Sequence, residues 1–456
     1  MLIKFLKHFF ISVLLLLIFF SNANAKNNSI KIIRDTEIEN FLSEISKPIF
    51  KVSGIEKLQF YIIQDNSINA FIVDGNKIFI NTGFLLSVDN PDEIAGVVAH
   101  ETGHIVAKHY SNIHQEINKN NNIILASALL SLGMIAGGSP ESATATIMAG
   151  YHIGQQNILS YSRAQEEVAD KFAVQFLTQA NLSPSALLNL LKKFYNQDVV
   201  LLNDNSEYFQ THPLSKHRLE YIRAEIEKKN YKKNNSVFNN KFKKAFDLVK
   251  AKVFAASQKN ENSLLLKYPV SLQTEESFYS RAVFYYLNHN FNKALKEIDE
   301  AIQINSINPY FYELKGDVFY NLGKLNLALK NYNKSKSLLS SKHDKTLLEL
   351  NIANLVILLN DKTLLSKTIN TLKKIIQNHP NNILGMKLLS EAYYKNKQYT
   401  QSYLTLAEMN LKTDNFKKVK NNLDMAKKYV GDNKRLLLKI RDLEDGLKVE
   451  MRNKRK

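Results

Sequence analysis

The chain has 456 residues, which is too long for one ordinary hydrophobic core, so two or three domains are expected. The sequence contains no cysteine, which excludes thiolate metal sites, cysteine nucleophiles, disulfides and a lipid-modified cysteine anchor. The net charge of +18 decides little, because the lysine- and asparagine-rich tracts are typical of solvated surfaces. An anionic membrane surface or an acidic partner stays open.

The first 25 residues have the layout of a secretory signal peptide. Lys4 and Lys7 precede an apolar run from Phe9 to Phe20, and Ala23-Asn24-Ala25 provides a small-residue cleavage site. An uncleaved anchor is the alternative, although the run is short for crossing a bilayer. Residues 1–25 are therefore predicted to be removed on export, and an exported protein is not expected to bind nucleic acid.

The segment after the signal predicts a helix followed by a small β-sheet. Residues 26 to about 55 form a helical lead-in, and KLQFYIIQD at 57–65 is a strand because aromatic and β-branched residues dominate it. Residues 69–86 then contain two short apolar runs around Asp74-Gly75-Asn76. This pattern predicts a β-hairpin, because such a turn requires residues that tolerate positive φ.

A helix that carries both histidines and acids is predicted next. Asn90 is expected to cap it, with Pro91 at its first position and Glu93 completing the cap. Its sequence from 92 to 110, DEIAGVVAHETGHIVAKHY, is otherwise largely apolar, which is typical of a buried helix. The helix is expected to continue to about Ile117.

The sequence HETGH at residues 100–104 has the spacing of a zinc-binding motif. His100 and His104 are four positions apart, so both imidazoles project from one helical face, where one tetrahedral Zn²⁺ can bind both. Glu101 is rotated by about 100° from His100 and is expected to face a metal-bound water instead. The alternative is a pair of surface histidines. It is disfavoured because the flanks are apolar and a buried Glu101 would be costly without a partner.

A hydrolytic zinc site needs a third protein ligand, and two segments compete to supply it. A histidine six positions after His104 would give a metzincin site, but that position is Tyr110. His109 lies about 140° around a continuing helix from His104 and is expected to face away. The later segment SRAQEEVAD instead places Glu166 and Asp170 on one helical face.

HETGH and the later SRxxExxAD pattern together resemble the gluzincin family that includes the CAAX prenyl endopeptidases. The resemblance implies that Glu166 is the third ligand, beside His100 and His104, of one Zn²⁺ per chain. It also implies that the nearby Asp170 orients a ligand imidazole. In such a site Glu101 is expected to act as the general base.

The segment THPLSKHRL resembles a later element of that family and supplies His212 and Arg218. The resemblance implies that His212 reaches the site, either as a fourth ligand that keeps the enzyme latent or as a stabiliser of the oxyanion. A loop histidine without a role is the alternative. Arg218 is expected to anchor this loop or the Glu166/Asp170 region, and a solvated arginine is the alternative there.

The hairpin before the catalytic helix resembles the edge-strand region of the family. Asn69, Ala70 and Phe71 on this edge are predicted to bind an extended substrate by strand addition. Such binding recognises backbone more than side chains, which suits an enzyme that acts on unfolded chains. A plain scaffold role is the alternative.

The second half of the chain contains internal repeats. Two segments align at an offset of 34 residues, with Ala282 matching Gly316 and Tyr286 matching Tyr320. That period and pattern resemble tetratricopeptide repeats, in which small residues let two helices approach closely. A lone helical hairpin cannot bury its apolar face, so several units are expected to stack into a superhelix that binds a partner. A generic helical bundle is the alternative.

The sequence therefore predicts a mostly α protein. A zincin-like metallopeptidase domain with a small β-sheet is expected at 26–255, and an α-superhelical tetratricopeptide-repeat domain at 256–456. The apolar run at 123–136 is expected to be a buried helix, and contact with a membrane surface around 123–150 stays open.

The predicted architecture resembles the periplasmic proteases of Gram-negative bacteria that enhance β-barrel assembly. The resemblance implies a periplasmic zinc endopeptidase acting on unfolded or misassembled proteins, with an envelope assembly protein docked by the repeats. The alternative is a latent protease that acts mainly as a chaperone or adaptor. A membrane-integrated peptidase is disfavoured, because no run after the signal reaches the roughly 20 residues of a span.

Overall fold

The computed structural model describes residues 32–56, 58–73, 77–109, 161–201, 211–228, 236–340 and 344–453. Within these residues the chain is mostly helical and has one four-stranded sheet, which confirms the predicted fold class. No helix of this part of the chain is both long and apolar enough to cross a membrane. The predicted signal peptide, the turn at 74–76 and the apolar run at 123–136 lie outside the described residues.

The sheet lies near the start of the described chain. Its strands are β1 (Ile32–Ile33), β2 (Gln59–Ile63), β3 (Ala70–Val73) and β4 (Lys77–Asn81). Their spatial order is β1-β2-β4-β3, with β2 and β4 parallel and the two outer pairs antiparallel. Alternate residues such as Phe60, Ile62, Ile78 and Ile80 are buried in the main core. The predicted substrate-binding residues 69–71 lie at the start of the edge strand β3.

Six described helices precede residue 229. They are α1 (Thr36–Ser53), α2 (Thr82–Ser87), α3 (Pro91–Val106), α4 (Arg163–Gln179), α5 (Ser185–Leu201) and α6 (Lys216–Lys228). Helix α3 begins as predicted, because the Asn90 side chain accepts a hydrogen bond from the Glu93 backbone N–H at 3.1 Å. The predicted extension to Ile117 is wrong, since α3 ends at Val106. Lys108 then adopts a left-handed conformation (φ 56°), which stops the helix.

Helix α3 lies at the centre of the N-terminal core. Every residue from 91 to 104 is buried, and α3 packs against α1, α4 and α5. Its closest approach is to α4, where a Cβ at Gly103 would lie 2.7 Å from the carbonyl oxygen of Ala169. Because Gly103 adjoins the predicted ligand His104 and Ala169 lies near Glu166, this contact sets the predicted site residues side by side.

The remaining described helices follow one another along the chain. They are α7 (Ser236–Ser257), α8 (Glu261–Lys267), α9 (Glu275–Leu287), α10 (Phe291–Ile304), α11 (Pro309–Asn321), α12 (Leu325–Leu338), α13 (Thr346–Leu359), α14 (Lys362–Asn378), α15 (Ile383–Lys395), α16 (Tyr399–Lys412), α17 (Phe416–Tyr429) and α18 (Lys434–Asn453). From α9 onward, consecutive helices pack against each other. Buried Ala282, Ala294, Ala328 and Gly316 let them approach closely. This packing is what a repeat array requires, and its identity as tetratricopeptide repeats stays a prediction.

Helix α7 contributes to two hydrophobic cores. One set of its apolar residues packs with the sheet, α1 and α3 in the N-terminal core: Phe242, Phe246, Val249 and Val253. Leu248 and Ala255 belong instead to the first core of the helical array, with α9, α10 and α11. The helix is continuous from Ser236 to Ser257, so the predicted domain boundary at residue 255 falls within an element that both cores share.

A partly buried polar cluster also joins α1 to the helical array. The Tyr279 hydroxyl donates a 2.5 Å hydrogen bond to Glu37, and Lys252 Nζ of α7 lies 3.2 Å from the same carboxylate. The Thr36 hydroxyl donates to Glu313 on α11 at 2.8 Å. Burial raises the pKa of Glu37, and the charge of Lys252 offsets only part of this rise. Burial also raises the pKa of Glu313, to about 8. Polar contacts therefore reinforce the apolar junction at α7.

Gly316→Ala is expected to destabilise the helical array. A Cβ at this position would lie 2.5 Å from the ring of Tyr332, so α11 and α12 would have to separate. Overpacking of this kind typically costs about 1–3 kcal/mol. Urea denaturation followed by circular dichroism measures the loss in unfolding free energy.

The matched control is Gly446→Ala in α18, where the nearest atom to the added Cβ lies 3.7 Å away. Alanine favours helix more than glycine, so this variant is expected to be neutral or stabilised by up to about 1 kcal/mol. Equal losses in the two variants would show that α11 and α12 do not depend on the close contact at Gly316.

Candidate metal centre

Four buried side chains converge beside the C-terminal half of α3. His100 and His104 come from α3, Glu166 from the first turn of α4, and His212 from the segment before α6, and their ligand atoms all lie within 4.8 Å of one another. The Nε2 atoms of the two α3 histidines are 3.2 Å apart. The two oxygens of Glu166 lie 3.3 Å from Nε2 of His100 and 3.2 Å from Nε2 of His104. The structure therefore brings the three predicted ligands together.

Two further predicted residues lie behind the cluster. Oδ1 of Asp170 is 3.0 Å from Nδ1 of His100, which directs Nε2 of that ring into the cluster. Arg218 is fully buried and donates two hydrogen bonds to Asp170, at 2.7 and 3.0 Å. Its Nη1 lies 2.7 Å from Glu166 and donates to the Pro213 carbonyl at 3.0 Å. Arg218 therefore contacts both the acids and the loop, and it is not solvated.

His212 connects the cluster to the sheet edge. Its Nδ1 lies 3.1 Å from Oε1 of Glu166, and its Nε2 lies 3.2 Å from the carbonyl oxygen of Ala70 and 3.4 Å from Oε1 of Glu101. The ring is fully buried. Both ring nitrogens therefore face oxygen atoms, one at the ligand cluster and one at the start of β3.

The predicted substrate-binding residues lie next to this histidine with one exception. Asn69 is buried and accepts a 3.3 Å hydrogen bond from the Thr211 hydroxyl, while the Ala70 carbonyl faces His212. Phe71 packs on the other face of the sheet, where its ring stacks on Phe79 with centroids 5.4 Å apart. Only the first two of the three therefore contact the segment that carries His212.

Glu101 is fully buried, and within the described residues neither of its carboxylate oxygens has a hydrogen-bond partner. Burial raises the pKa of Glu101, and the nearby histidines offset only part of this rise. Three buried carboxylates, Glu101, Glu166 and Asp170, share the guanidinium of Arg218, so the acidic groups of the centre outnumber this cation. A divalent cation would offset the excess of acidic groups, and imidazole nitrogens with a carboxylate oxygen are donors that suit Zn²⁺ and similar metals. The residues present therefore fit a bound metal ion.

The two α3 histidines differ in their electrostatics. Burial lowers the pKa of His104 to about 3, so this imidazole stays neutral, as a metal ligand must be. Burial also lowers the pKa of His100, but the charges of Glu166 and Asp170 outweigh it and raise that pKa to about 10. In the metal-free protein His100 therefore carries a proton that metal binding has to displace.

Two side chains at the cluster were not predicted. His109 was expected to face away, which is wrong, because α3 ends at Val106 and the left-handed Lys108 places His109 outside the helical periodicity. Its Nδ1 lies 2.9 Å from Nδ1 of His104. Tyr161 stacks on the other side of His104, with ring centroids 3.7 Å apart and planes 19° apart. Its position directly before the cap of α4 is the only sequence signal that could have indicated it.

This arrangement is that of a metallopeptidase site. It combines two histidines one helical turn apart with a glutamate from a second helix, and a further buried glutamate lies beside them. Residues 33–226, which contain all of these side chains, match the profile of Peptidase family M48. The chain is therefore a metalloprotease, a hydrolase whose residues 33–226 are similar to that family.

Curated relatives extend the similarity beyond that domain. The chain is 24% identical over 344 residues to the beta-barrel assembly-enhancing protease of Yersinia pestis, covering 73% of this chain and 67% of the relative. It is 22% identical over 335 residues to the protein of that name from Escherichia coli K12, covering 72% and 66%. The mitochondrial metalloendopeptidase OMA1 of Schizosaccharomyces pombe is 26% identical over 198 residues, covering 43% and 55%. The matched region thus spans about two thirds of the bacterial relatives.

Arg218→Leu is expected to destabilise the metal-free protein by about 3–5 kcal/mol. The substitution leaves Asp170 and Glu166 buried next to each other without their guanidinium partner, which is the costly way to break a buried ion pair. Urea denaturation in the presence of a chelator measures the effect.

The control is Arg223→Leu on the exposed face of the same helix α6, for which a change within about 0.5 kcal/mol is expected. A loss at Arg218 no larger than this would mean that the buried ion pairs do not stabilise the domain.

Proposed function

We propose that this protein is a zinc-dependent endopeptidase of the periplasm that hydrolyses peptide bonds in misfolded or stalled proteins, outer-membrane proteins among them. The observation that carries the proposal is the convergence of His100, His104 and Glu166 with the buried carboxylate of Glu101 beside them, which accepts no hydrogen bond within the described residues. Two imidazoles and one carboxylate are a ligand set that leaves a coordination position open for catalysis.

Each residue of the centre has a separate role in this proposal. His100, His104 and Glu166 would hold one Zn²⁺ per chain, and Asp170, 3.0 Å from Nδ1 of His100, keeps that ring oriented. Lewis acidity toward a water molecule and toward the scissile carbonyl is what zinc supplies when bound. Glu101 accepts a proton from the attacking water and delivers it to the leaving amine, and its burial-raised pKa suits this task.

Substrate is proposed to bind as an added strand along β3. The carbonyl of Asn69 accepts a hydrogen bond from the Asn81 backbone N–H of β4 at 3.0 Å. Successive carbonyls of a strand point in opposite directions, so the Ala70 carbonyl points away from β4 to the free edge. An extended peptide needs that carbonyl as an acceptor, and backbone pairing of this kind accepts many sequences.

Of the two roles predicted for His212, the geometry favours the latent one. The ring contacts Glu166 with one nitrogen and the Ala70 carbonyl with the other, so it lies between the ligand cluster and the substrate edge. A substrate strand and His212 cannot both use this carbonyl in the same direction. We therefore infer that His212 has to move before a substrate binds.

The relatives support the location and the partners. Two of them are named beta-barrel assembly-enhancing proteases, and they match the helical array as well as the peptidase domain. We extend to this chain a periplasmic location reached by a cleaved signal peptide at residues 1–25. The array, as tetratricopeptide repeats over 256–456, would dock an envelope assembly protein.

A latent protease that acts mainly as a chaperone or adaptor is the second candidate. The observation in its favour is again the position of His212, which contacts both the ligand cluster and the substrate edge. In that case the protein would act mainly by binding partners through its repeats, and it would rarely cleave a substrate.

Glu101→Gln is expected to abolish cleavage of an unfolded protein such as casein while zinc content stays at one per chain. The substitution removes the base and keeps all ligands, and general bases contribute about 10²–10⁴-fold to rates. Cleavage is followed by gel electrophoresis of the purified chain without residues 1–25, and zinc by atomic absorption.

Glu167→Gln, which alters a half-buried neighbour of the ligand Glu166, serves as the control and is expected to cleave as the wild type does. Cleavage by the Glu101→Gln protein at the wild-type rate would point to a contaminating protease and undo the assignment.

His212→Ala is expected to increase the initial rate of casein cleavage, by about tenfold if the closed arrangement is favoured by 1.4 kcal/mol. The reason is that the substitution frees the Ala70 carbonyl and a position beside the ligands. A lower rate would instead assign His212 to oxyanion stabilisation. No cleavage by either the wild type or this variant would favour the chaperone candidate.

A further inference from the structure

The turn after α3 returns an imidazole to the metal-binding helix. Helix α3 ends at Val106, and Lys108 adopts φ 56° with its N–H donating to the Ile105 carbonyl at 2.9 Å. A left-handed residue at this position is a common way to end a helix. After this turn, Nδ1 of His109 lies 2.9 Å from Nδ1 of His104.

The orientation of His104 decides which of its nitrogens carries the proton. Its Nε2 faces the cluster, 3.2 Å from Nε2 of His100 and 3.2 Å from Oε1 of Glu166. A neutral imidazole has one proton, so a ring that binds metal through Nε2 carries that proton on Nδ1. The atom that faces this Nδ1–H is Nδ1 of His109, which must therefore be the acceptor and carry its own proton on Nε2.

The outer nitrogen of the other α3 histidine also faces a side chain. His100 directs Nε2 into the cluster and Nδ1 to a carboxylate oxygen of Asp170 at 3.0 Å. Ligand histidines usually donate their outer N–H to a carboxylate, a carbonyl or water. At His104 a neutral imidazole takes that place, which adds no further negative charge to a centre that already holds three buried carboxylates.

The position of His109 is well defined by its surroundings. The side chain is 8% exposed, and its ring lies 6.1 Å from that of Tyr161. Tyr161 in turn stacks on His104. The ring of His104 is thus held by a stacked ring on its face and by a hydrogen bond at its outer nitrogen.

We propose that His109 is a positioning residue for metal binding, which accepts the Nδ1–H of His104 and so keeps Nε2 of that ring directed at the metal. The inference rests on the metal centre of the proposed function and not on its peptidase activity. It is therefore tested by metal affinity, without a substrate.

The experiment measures Zn²⁺ affinity of the full chain by competition with a chromophoric chelator. His109→Leu removes the acceptor and is expected to weaken zinc binding by about 10–100-fold, as the loss of such a partner typically does. His109→Asn places an amide oxygen near the position of Nδ1 and is expected to remain within about threefold of the wild type. His217→Leu, an exposed histidine that pairs with Glu167, is the control and is expected to bind as the wild type does.

Denaturation of the metal-free proteins accompanies the titration, because a purely structural role would lower stability in both His109 variants without restoring affinity in His109→Asn. Wild-type affinity in His109→Leu, or equal weakening in both variants, would overturn the proposal. A wild type that binds zinc but cleaves nothing would remove the proposed function and leave this inference standing. A wild type that binds no zinc would remove both.

A second pair of variants tests the turn without altering any imidazole. Lys108→Gly keeps the left-handed conformation at little cost, whereas Lys108→Val strongly disfavours it because the side chain is β-branched. Zinc affinity is expected to be retained in the first and reduced by about tenfold or more in the second. Equal affinity in both would contradict the role of the turn.

Discussion

The close approach of two helices at Gly103 and Ala169 is the constraint on which the metal centre depends. Any side chain at Gly103 would collide with the backbone of α4, so glycine at this position permits the close approach of the two helices. The residues on either side of this contact are His104 on one helix and Glu166 on the other. Ligands that are distant in sequence therefore meet because the two helices pack closely at a residue that has no side chain.

That contact also creates an electrostatic demand. It buries three carboxylates together, and Arg218 alone offsets only part of their charge. In the absence of metal, the proton on His100 supplies a further positive charge. The centre is thus an arrangement in which protons and a divalent cation compete for the same negative charge, which couples metal binding to pH.

Much of the centre could be predicted from the sequence, because its ligands lie at helical spacings. His100 and His104 share a face by periodicity alone, and Glu166 followed from the resemblance of its motif. His109 could not be predicted, since nothing in the lysine at 108 indicates a left-handed residue, and a continuing helix directs that histidine away. The side of the sheet on which the Phe71 ring packs could not be predicted either, since the pleat places it on the far face. The roles of all these residues stay predictions.

The sharing of helix α7 by two cores could not be predicted from the sequence either. Its apolar residues lie on two sides of the helix, and such a pattern is also typical of an ordinary buried helix. Its consequence is geometric. At 22 residues it is about 33 Å long, and both cores are built on it. If the helical array binds a polypeptide, α7 fixes the distance between that binding site and helix α3. The cleaved bond would then be set by its distance along the substrate from the segment bound to the array, and not by the side chains around that bond.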